Sequence, residues 1–391
     1  MWLVPFALIA IVLFGHLALW VMAFNRLHAI SIRHATIRRL EKGIFVAVPA
    51  LPIYLVISFL LHDMSIDRLV VRASSNSVLL CYASACYLMA AYIAARWIWD
   101  KSRSGNPPQL ASNHTEIVDV AKEIGFQPIG SWSTRLLSLV PGNQIFQLTV
   151  NVKTLEVPGL DPRLDGLTIT HLSDLHFTGN IGREFFDFVI DRANELDSDL
   201  VAVTGDIIDG PQCMDWIPET VGRLTSRFGA YYVLGNHDKR HVDADEVRGL
   251  LEQNGFIDLG GKWLPTQIHG VDVLLAGNEV PWFGSISELD ESEPCDNQEA
   301  LRILLSHSPD QITWARRHNF DLMLAGHTHG GQIRLPVIGP MVAPSNFGVK
   351  YASGTFYEAP TLMHVSRGIS GQETIRLNCM PELTQVLLRA S

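Results

Sequence analysis

The sequence predicts an α/β fold in which mixed β-sheets are flanked by helices and preceded by an N-terminal transmembrane region. From Leu167 onward, apolar β-branched strands alternate with helical patterns such as that of residues 182–196. Five of these strands end in Asp, Asn or His, residue types that bind metals. The first hundred residues instead contain three long apolar runs. Strands that alternate with helices bury their apolar faces as sheets covered by helices.

Length, charge and cysteine content limit the possible classes of protein. The chain has 391 residues, more than one compact domain usually holds. Its net charge is -10, and it lacks a long basic stretch interleaved with aromatic residues, so we expect no nucleic-acid partner. Five cysteines without a CxxC pair predict neither a disulfide framework nor a zinc finger.

Three apolar runs predict membrane-spanning helices. Residues 2–24 carry no charge and are long enough to cross a bilayer, and residues 77–99 form a similar run. The run at residues 45–61 is shorter, and a buried helix of a soluble protein is its alternative. The first run could be a signal peptide, but it lacks a basic start and a small-residue cleavage pattern. We therefore expect a retained anchor.

The charges between these runs predict the topology. Basic residues exceed acidic ones in the first loop and after the third run, whereas the second loop is balanced. The first loop contains Arg26, Arg33, Arg38, Arg39 and Lys42 against Glu41, and the segment after the third run contains Arg96, Lys101 and Arg103 against Asp100. The positive-inside rule predicts an integral protein of the inner (cell) membrane with its catalytic domain in the cytoplasm.

The sequence predicts three parts: residues 1–100 as a transmembrane region of about three helices, 101–144 as a linker and interfacial segment, and 145–391 as the catalytic domain. Within the linker, Ser131 to Val140 combines Trp132 with several leucines and Arg135. Two interpretations stay open for this stretch, since it could lie at the membrane interface or cap the catalytic domain.

The most informative stretch is Asp174-Leu-His176, which follows the buried strand at residues 167–172. Side chains two positions apart on an extended chain point the same way, so the carboxylate and the imidazole converge. They do so at the carboxyl end of a strand, where open α/β sheets place their sites. Four further strands end in the same residue types, with Asp206, Asn236, His307, and the pair His327 and His329. Turns favour Asp and Asn but have no reason to favour His.

This set of oxygen and nitrogen donors predicts two divalent metal ions. The candidate metal ligands are Asp174, His176, Asp206, Asn236, His307, His327 and His329. Seven residues are too many for one tetrahedral zinc, and the set has no thiolate. Two ions, with Asp206 as the shared ligand, could bind a bridging hydroxide that attacks a phosphoryl group. We expect these two ions to be manganese, iron or zinc.

His237 and Asp209 are the candidate catalytic residues. His237 directly follows Asn236, and adjacent residues cannot easily bind the same ion, so His237 could instead protonate the leaving oxygen. Asp209 could orient that imidazole, although a role as a turn residue before Gly210 is equally well supported. We expect Asp238 to hold the loop rather than bind metal.

The motif series resembles that of the calcineurin-like metallophosphoesterases over roughly residues 145–391. The resembling motifs are Asp174-x-His176, Gly205-Asp206-x-x-Asp209, Gly235-Asn236-His237-Asp238, His307 and Gly326-His327-Thr328-His329. The resemblance implies a β-sandwich of two mixed sheets flanked by helices. It also implies one metal on Asp174, His176, Asp206 and His329, a second on Asp206, Asn236, His307 and His327, and His237 as the leaving-group residue.

The chain is similar to the membrane-associated bacterial branch of that family, which includes phosphodiesterases and UDP-2,3-diacylglucosamine pyrophosphohydrolases. We therefore expect a membrane-anchored hydrolase of a phosphodiester or pyrophosphate bond, with a substrate that could be lipid-linked. One alternative is a phosphodiesterase for a soluble nucleotide. Another is a non-enzymatic sensor on the same fold.

Overall fold

The computed structural model describes residues 3–30, 32, 34–61, 71, 75–102, 105–294 and 300–390. The chain divides into two compact units, residues 1–105 and residues 106–391. The helices are α1 (Leu3–His28), α2 (His34–Leu61), α3 (Ser77–Ser102), α4 (Val120–Glu123), α5 (Trp132–Ser138), α6 (Arg183–Glu195), α7 (Trp216–Glu219), α8 (Asn236–His241), α9 (Ala244–Gln253), α10 (Ile286–Glu291) and α11 (Ile312–Arg317).

The strands in the described part of the chain all lie in the second unit. They are β1 (Leu110–Asp119), β2 (Gln147–Val157), β3 (Thr168–Leu172), β4 (Leu200–Thr204), β5 (Ala230–Val233), β6 (Phe256–Asp258), β7 (Trp263–Ile268), β8 (Val271–Asn278), β9 (Leu301–Ser306), β10 (Leu322–Ala325), β11 (Arg334–Leu335), β12 (Gly339–Pro340), β13 (Gly354–Glu358), β14 (Thr361–Val365) and β15 (Glu382–Ala390).

Among the described residues of the first unit, three helices are long and apolar enough to cross a membrane, over Phe6–His28, Ala35–Leu60 and Ser77–Lys101. Their apolar side chains are mostly exposed, as expected for helices that a bilayer would surround. The helices contact one another through polar groups: the ring of His16 bonds the Tyr82 hydroxyl through Nδ1 and the Val48 carbonyl through Nε2. The three predicted apolar runs are thus present as three long helices.

The second unit is a sandwich of two mixed sheets. One sheet has the strand order β1-β2-β15-β3-β4-β5-β6, and the other has β13-β14-β10-β9-β8-β7. Both sheets are mixed. In the first, β3, β4, β5 and β6 run parallel to one another, and β15 is antiparallel to β3. In the second, the parallel strands β8, β9, β10 and β14 lie between the antiparallel edge strands β7 and β13.

The central strands are apolar on both sides because both sides of each sheet are covered. Val201 and Val203 of β4 pack in a core with α6 and α9, while their neighbours Leu200 and Ala202 face the other sheet. In the same way β10 alternates between the core shared by the two sheets and a third core that includes α11. The α/β sandwich flanked by helices is thereby confirmed.

The structure differs from the predicted linker at residues 101–144. Leu110–Asp119 is an edge strand, β1, paired with β2 over almost its whole length, so it belongs to the second unit. The side chains of β1 are mostly exposed, and the strand is held by backbone hydrogen bonds. An edge strand of this kind lacks the apolar alternation by which strands are predicted from sequence.

The stretch around Trp132 forms the short helix α5. Ser131 is its N-cap, and the Ser131 side chain accepts a hydrogen bond from the Thr134 N–H.

Candidate metal centre

The strand ends bring the candidate ligands of the second unit into two groups that share one residue. Asp174, His176, Asp206 and His329 each offer a donor atom, and these atoms lie within 4.8 Å of one another. Asp206, His307 and His327 form a second group on the same criterion. Asp206 therefore lies where the sequence places a shared ligand.

One oxygen of Asp206 faces ring nitrogens from both groups. Asp206 Oδ2 lies 3.1 Å from His307 Nε2 and 3.6 Å from His176 Nε2. In the first group His176 Nε2 is also 3.1 Å from His329 Nε2. His329 Nε2 is in turn 3.3 Å from Asp174 Oδ1. All these atoms are close enough to share a cation, and a carboxylate between two sets of imidazoles has the arrangement of a bridging ligand.

Hydrogen bonds orient three of the imidazoles. His176 Nδ1 lies 2.8 Å from Asp209 Oδ2. His329 Nδ1 lies 3.1 Å from the Ser370 carbonyl, and His307 Nδ1 lies 2.7 Å from the Thr204 carbonyl. Since these oxygens only accept, each Nδ1 carries a proton, and each Nε2 is directed to the centre. His176 Nε2 and His329 Nε2 approach each other to 3.1 Å, the arrangement expected of two ligands directed to one ion.

Three polar atoms at the centre are buried without a hydrogen-bond partner among the residues that the structure describes. They are Asp206 Oδ2, Asn236 Oδ1 and His327 Nε2. Leaving a buried polar group unsatisfied costs about 1–3 kcal/mol, and more for a charged one. Asn236 is the first residue of α8. The N–H of the next residue, His237, donates to Asp206 Oδ1 over 2.8 Å, so the side-chain amide of Asn236 is held beside the shared carboxylate. The donor set fits divalent cations of the kind predicted.

The electrostatics of the centre also favour bound positive charge. Burial lowers the pKa of His329 to about 4 and that of His327 well below its usual value, so both are neutral, the form that binds metals. Against the effect of burial, Asp209 raises the pKa of His176 to about 9, and Asp206 does the same for His307. The carboxylates thus stabilise positive charge here, whether carried by a proton or by a metal ion.

The backbone of the centre is left-handed at most candidate ligands. Positive φ angles occur at Asp174 (54°), His176 (46°), Asp206 (52°), His327 (69°) and His329 (50°). Such angles are uncommon outside glycine, although Asp and His adopt them more readily than most residues. They turn each chain sharply at the strand end, so that the side chain points back toward the centre.

Two glycines let the strand-end loops approach the carboxylates closely. A Cβ atom at Gly235 would lie 2.1 Å from Asp206 Oδ1, and one at Gly326 would lie 1.8 Å from Ser173 Oγ and 2.5 Å from Asp174 Oδ2. Neither position can accept a side chain without moving a candidate ligand. The glycines of the Gly-Asn-His-Asp and Gly-His-Thr-His motifs are therefore required by packing.

Asp209 connects the ligand group to His237. Its Oδ2 accepts from His176 Nδ1 and its Oδ1 from His237 Nδ1, each over 2.8 Å. Against burial, these two imidazoles hold the pKa of Asp209 well below its usual range. His237 then directs Nε2 toward the centre, 4.0 Å from Asp206 Oδ2. The structure places Asp209 where an orienting role for His237 requires it, with His176 as a second partner.

The loop residues around the centre include contacts that the sequence did not predict. Ser173 Oγ donates to Asp174 Oδ2 over 2.6 Å, and the Trp282 ring packs 4.7 Å from the ring of His327. Asp238 accepts from the N–H groups of Ile207, Ile208 and Gly235, which ties the loops after β4 and β5 together, as expected for a loop-holding residue. A lone Ser or Trp carries no sequence signal for such a contact.

A buried polar network behind the centre was also missed. His171 and His364 belong to no motif in the sequence, yet both are fully buried, with their Nδ1 atoms 2.9 Å apart. His171 Nε2 contacts the Thr204 hydroxyl, and Lys153 Nζ joins His364 Nε2 to Glu382. Burial, followed by the charge of Lys153, lowers the pKa of His364 to about 4.

Comparison with known proteins identifies the family. The family model of the calcineurin-like phosphoesterases matches residues 167–331, which contain every candidate ligand. The uncharacterized metallophosphoesterase YkuE of Bacillus subtilis is 30% identical over 239 residues, covering 58% of this chain and 80% of that protein. The chain belongs to the calcineurin-like phosphoesterase family.

Two further relatives share this phosphoesterase domain. A bovine (Bos taurus) transmembrane protein with metallophosphoesterase domain is 30% identical over 262 residues, covering 61% of this chain and 57% of that protein. Phosphodiesterase YaeI of Escherichia coli is 27% identical over 225 residues, covering 56% of this chain and 81% of that protein. The prediction of a metal-dependent phosphoesterase is confirmed by membership of this family.

Proposed function

We propose that this phosphoesterase is anchored in the membrane by its first unit and hydrolyses a phosphodiester or pyrophosphate bond with two divalent ions. The observation that carries the proposal is the position of Asp206 Oδ2 between two groups of ligand-type side chains. One ion on each group would polarise a phosphoryl oxygen and lower the pKa of a water molecule. No Ser or Cys nucleophile is then needed.

The residues of the centre divide into binding and proton-transfer roles in this proposal. Asp174, His176, Asp206 and His329 would hold one ion, and Asp206, Asn236, His307 and His327 the other. His237, with Nε2 facing the centre and Nδ1 fixed by Asp209, would give a proton to the leaving oxygen. His237 is partly accessible, with 15% of its side chain exposed, so a substrate can reach it.

The proposed class of substrate is based on the membrane anchor. Three helices able to cross a membrane would keep the enzyme beside substrates that stay in or near the bilayer, such as a lipid-linked phosphodiester or pyrophosphate. The name of the relative YaeI, a phosphodiesterase, supports a diester. A soluble nucleotide diester is the second candidate, since the same helices could serve only to localise the enzyme.

The domain and its topology are part of the proposal. We place the phosphoesterase domain in the second unit and on the cytoplasmic side, because Lys and Arg exceed acidic residues in the first loop and after the third apolar run. Reporter fusions after Ala390 test this orientation. Green fluorescence without alkaline phosphatase activity is expected, and the reverse result would contradict it.

Activity and metal content of the purified full chain test the function. We expect Mn²⁺-dependent hydrolysis of bis(p-nitrophenyl) phosphate and two ions per chain by elemental analysis of the active protein. A panel with UDP-diacylglucosamine and cyclic nucleotides separates the lipid-linked substrates from the soluble ones. A single ion in fully active protein would refute the two-metal centre, and inactivity on every ester would refute the function.

A further inference from the structure

We propose that the second unit docks on the membrane surface through an apolar rim beside its metal centre. The apolar rim consists of Trp132, Leu136, Leu139, Ile333, Val337 and Ile338. The inference rests on the proposed membrane anchorage, and it adds a second, independent membrane contact that would present the centre to a lipid-borne ester.

The exposure of these side chains is unusual for a soluble surface. Trp132, Leu139 and Val337 are 77%, 74% and 78% exposed. Positions 132, 136 and 139 lie at helical spacing on α5 and the residue that follows it, so their side chains share one face. A contiguous exposed apolar patch marks an interaction site more often than a scatter of single residues does.

The apolar rim has two parts, residues 132–139 and residues 333–338, and backbone pairing makes them neighbours. Leu377 pairs with Asn143 on one side and with Ile333 on the other. Adjacent strands lie about 4.8 Å apart, so the chain after α5 and the chain that begins at Ile333 are separated by about 10 Å. The Asn143 side chain donates to the Leu137 and Thr374 carbonyls and so fixes the end of α5 to the same loop.

The apolar rim adjoins the metal centre through the same loop. His329 Nδ1 bonds the Ser370 carbonyl, and Gln332 donates to the Glu373 carbonyl. The fully buried Arg376 donates to the Ser370 and Arg367 carbonyls and holds this loop in place. Only three residues separate His329 from Ile333, the first residue of the second part of the rim. A surface in contact with the rim would therefore also lie close to the centre.

Charge favours a lipid surface with anionic headgroups as the occupant. Residues 131–144 and 332–350 contain Arg135, Arg334 and Lys350 but no acidic residue, and the loop between them, residues 370–377, adds the exposed Glu373 and the buried Arg376, in a chain whose net charge is -10. Arg334 and Lys350 are bonded within the unit, while Arg135 is exposed between Trp132 and Leu136. Trp, Leu and Arg together are typical of segments that lie at a membrane interface. A two-fold contact between two copies would instead oppose like charges.

Photocrosslinking of the full chain in nanodiscs tests the contact directly. Benzoylphenylalanine replaces Leu136 or Val337, with Ile257 as the control on β6, at the opposite edge of the seven-stranded sheet. We expect lipid adducts at positions 136 and 337 but not at 257, and more of them with anionic than with zwitterionic lipid. Adducts to a second copy of the chain, or no lipid adduct at either rim position, would overturn the proposal.

Kinetics separate the docking from the proposed function. The double variant Leu136→Glu/Val337→Glu should lower the rate on a phosphodiester carried by a bilayer lipid by about tenfold, since two apolar side chains no longer enter the interface. Its rate on soluble bis(p-nitrophenyl) phosphate should match that of the wild type, which shows that the centre is intact. Ile257→Glu is the matched control and should affect neither rate.

The outcomes identify which idea fails. Equal loss on both esters means that the rim supports folding rather than docking. Full activity of the double variant on the lipid-borne ester also overturns the docking. A wild type that is inactive on both esters contradicts the proposed function, and the crosslinking result then decides the docking alone.

Discussion

Replacement of Asp209 by Asn should weaken metal binding and proton transfer together. Asp209 uses one oxygen for His176 and the other for His237, at 2.8 Å each, and only 4% of its side chain is exposed. Asn has nearly the same shape but only one oxygen, so one imidazole must face an NH₂ group that cannot accept its proton. Either the candidate ligand or the candidate acid then loses its orientation.

The expected magnitudes follow from these contacts. Loss of a carboxylate that orients a metal-binding His typically costs about 10–100-fold in metal affinity or activity, or about 1.4–2.8 kcal/mol. General acid assistance is worth about 10²–10⁴-fold. We expect Asp209→Asn to show a weaker metal affinity and, at saturating Mn²⁺, a lower kcat. His237→Ala should keep the metal affinity and lose only rate.

Metal titrations and two esters distinguish these effects. An alkyl phosphodiester has a poor leaving group that needs a proton, whereas a nitrophenyl ester leaves as a stable anion. The rate loss in His237→Ala should therefore be large for the alkyl ester and small for the nitrophenyl ester. If His237→Ala loses metal or slows both esters equally, the role given to His237 is wrong. Wild-type metal affinity and kcat in Asp209→Asn would refute the link through Asp209.

Three further substitutions give separate expectations. Asp206→Asn removes the charge shared by the two ligand groups, so elemental analysis should show lost metal as well as lost activity. Gly235→Ala should do the same by displacing Asp206, because the new Cβ would lie 2.1 Å from its Oδ1; normal metal content would contradict this contact. Glu382→Gln leaves the buried Lys153 without its countercharge and should destabilise the second unit by about 3–5 kcal/mol in urea unfolding. Glu358→Gln, at a half-buried ion pair with Lys350, is the control and should cost less than about 1 kcal/mol.

The position of the centre could be predicted from sequence because the signal is local. Asp174 and His176 lie just after an apolar strand, and the strand end places both at one edge of the sheet, although their backbone is left-handed (φ 54° and 46°) rather than extended as the sequence predicted. The repetition of Asp, Asn or His at four later strand ends then indicates a common edge. The sandwich was implied by the resemblance rather than by the pattern, since strand order depends on contacts between distant parts of the chain.

The features that were missed depend on partners distant in sequence. His171, His364 and Lys153 each interrupt an apolar or mixed strand as single polar residues, and only the packed sheets bring them together with Glu382. The edge strand β1 has a mostly polar sequence, because backbone pairing with β2 rather than side-chain burial holds it in place. Periodicity contains no information on either arrangement.

The left-handed backbone at five candidate ligands is a physical reason why those five positions hold Asp and His. Positive φ at a residue other than glycine costs on the order of 1–3 kcal/mol, so five such positions together are comparable to the net stability of a domain. Asp and His reduce this cost because they tolerate the conformation better than β-branched residues do. Inter-loop bonds stabilise the rest: Asp174 N–H donates to the Gly205 carbonyl, His176 N–H to the Asp206 carbonyl, and His327 N–H to the Asp174 carboxylate. Each loop is thus held in its conformation by the next, and residues that bind cations are also those that permit the turn. A change at one ligand should therefore disturb the neighbouring loop as well as the metal.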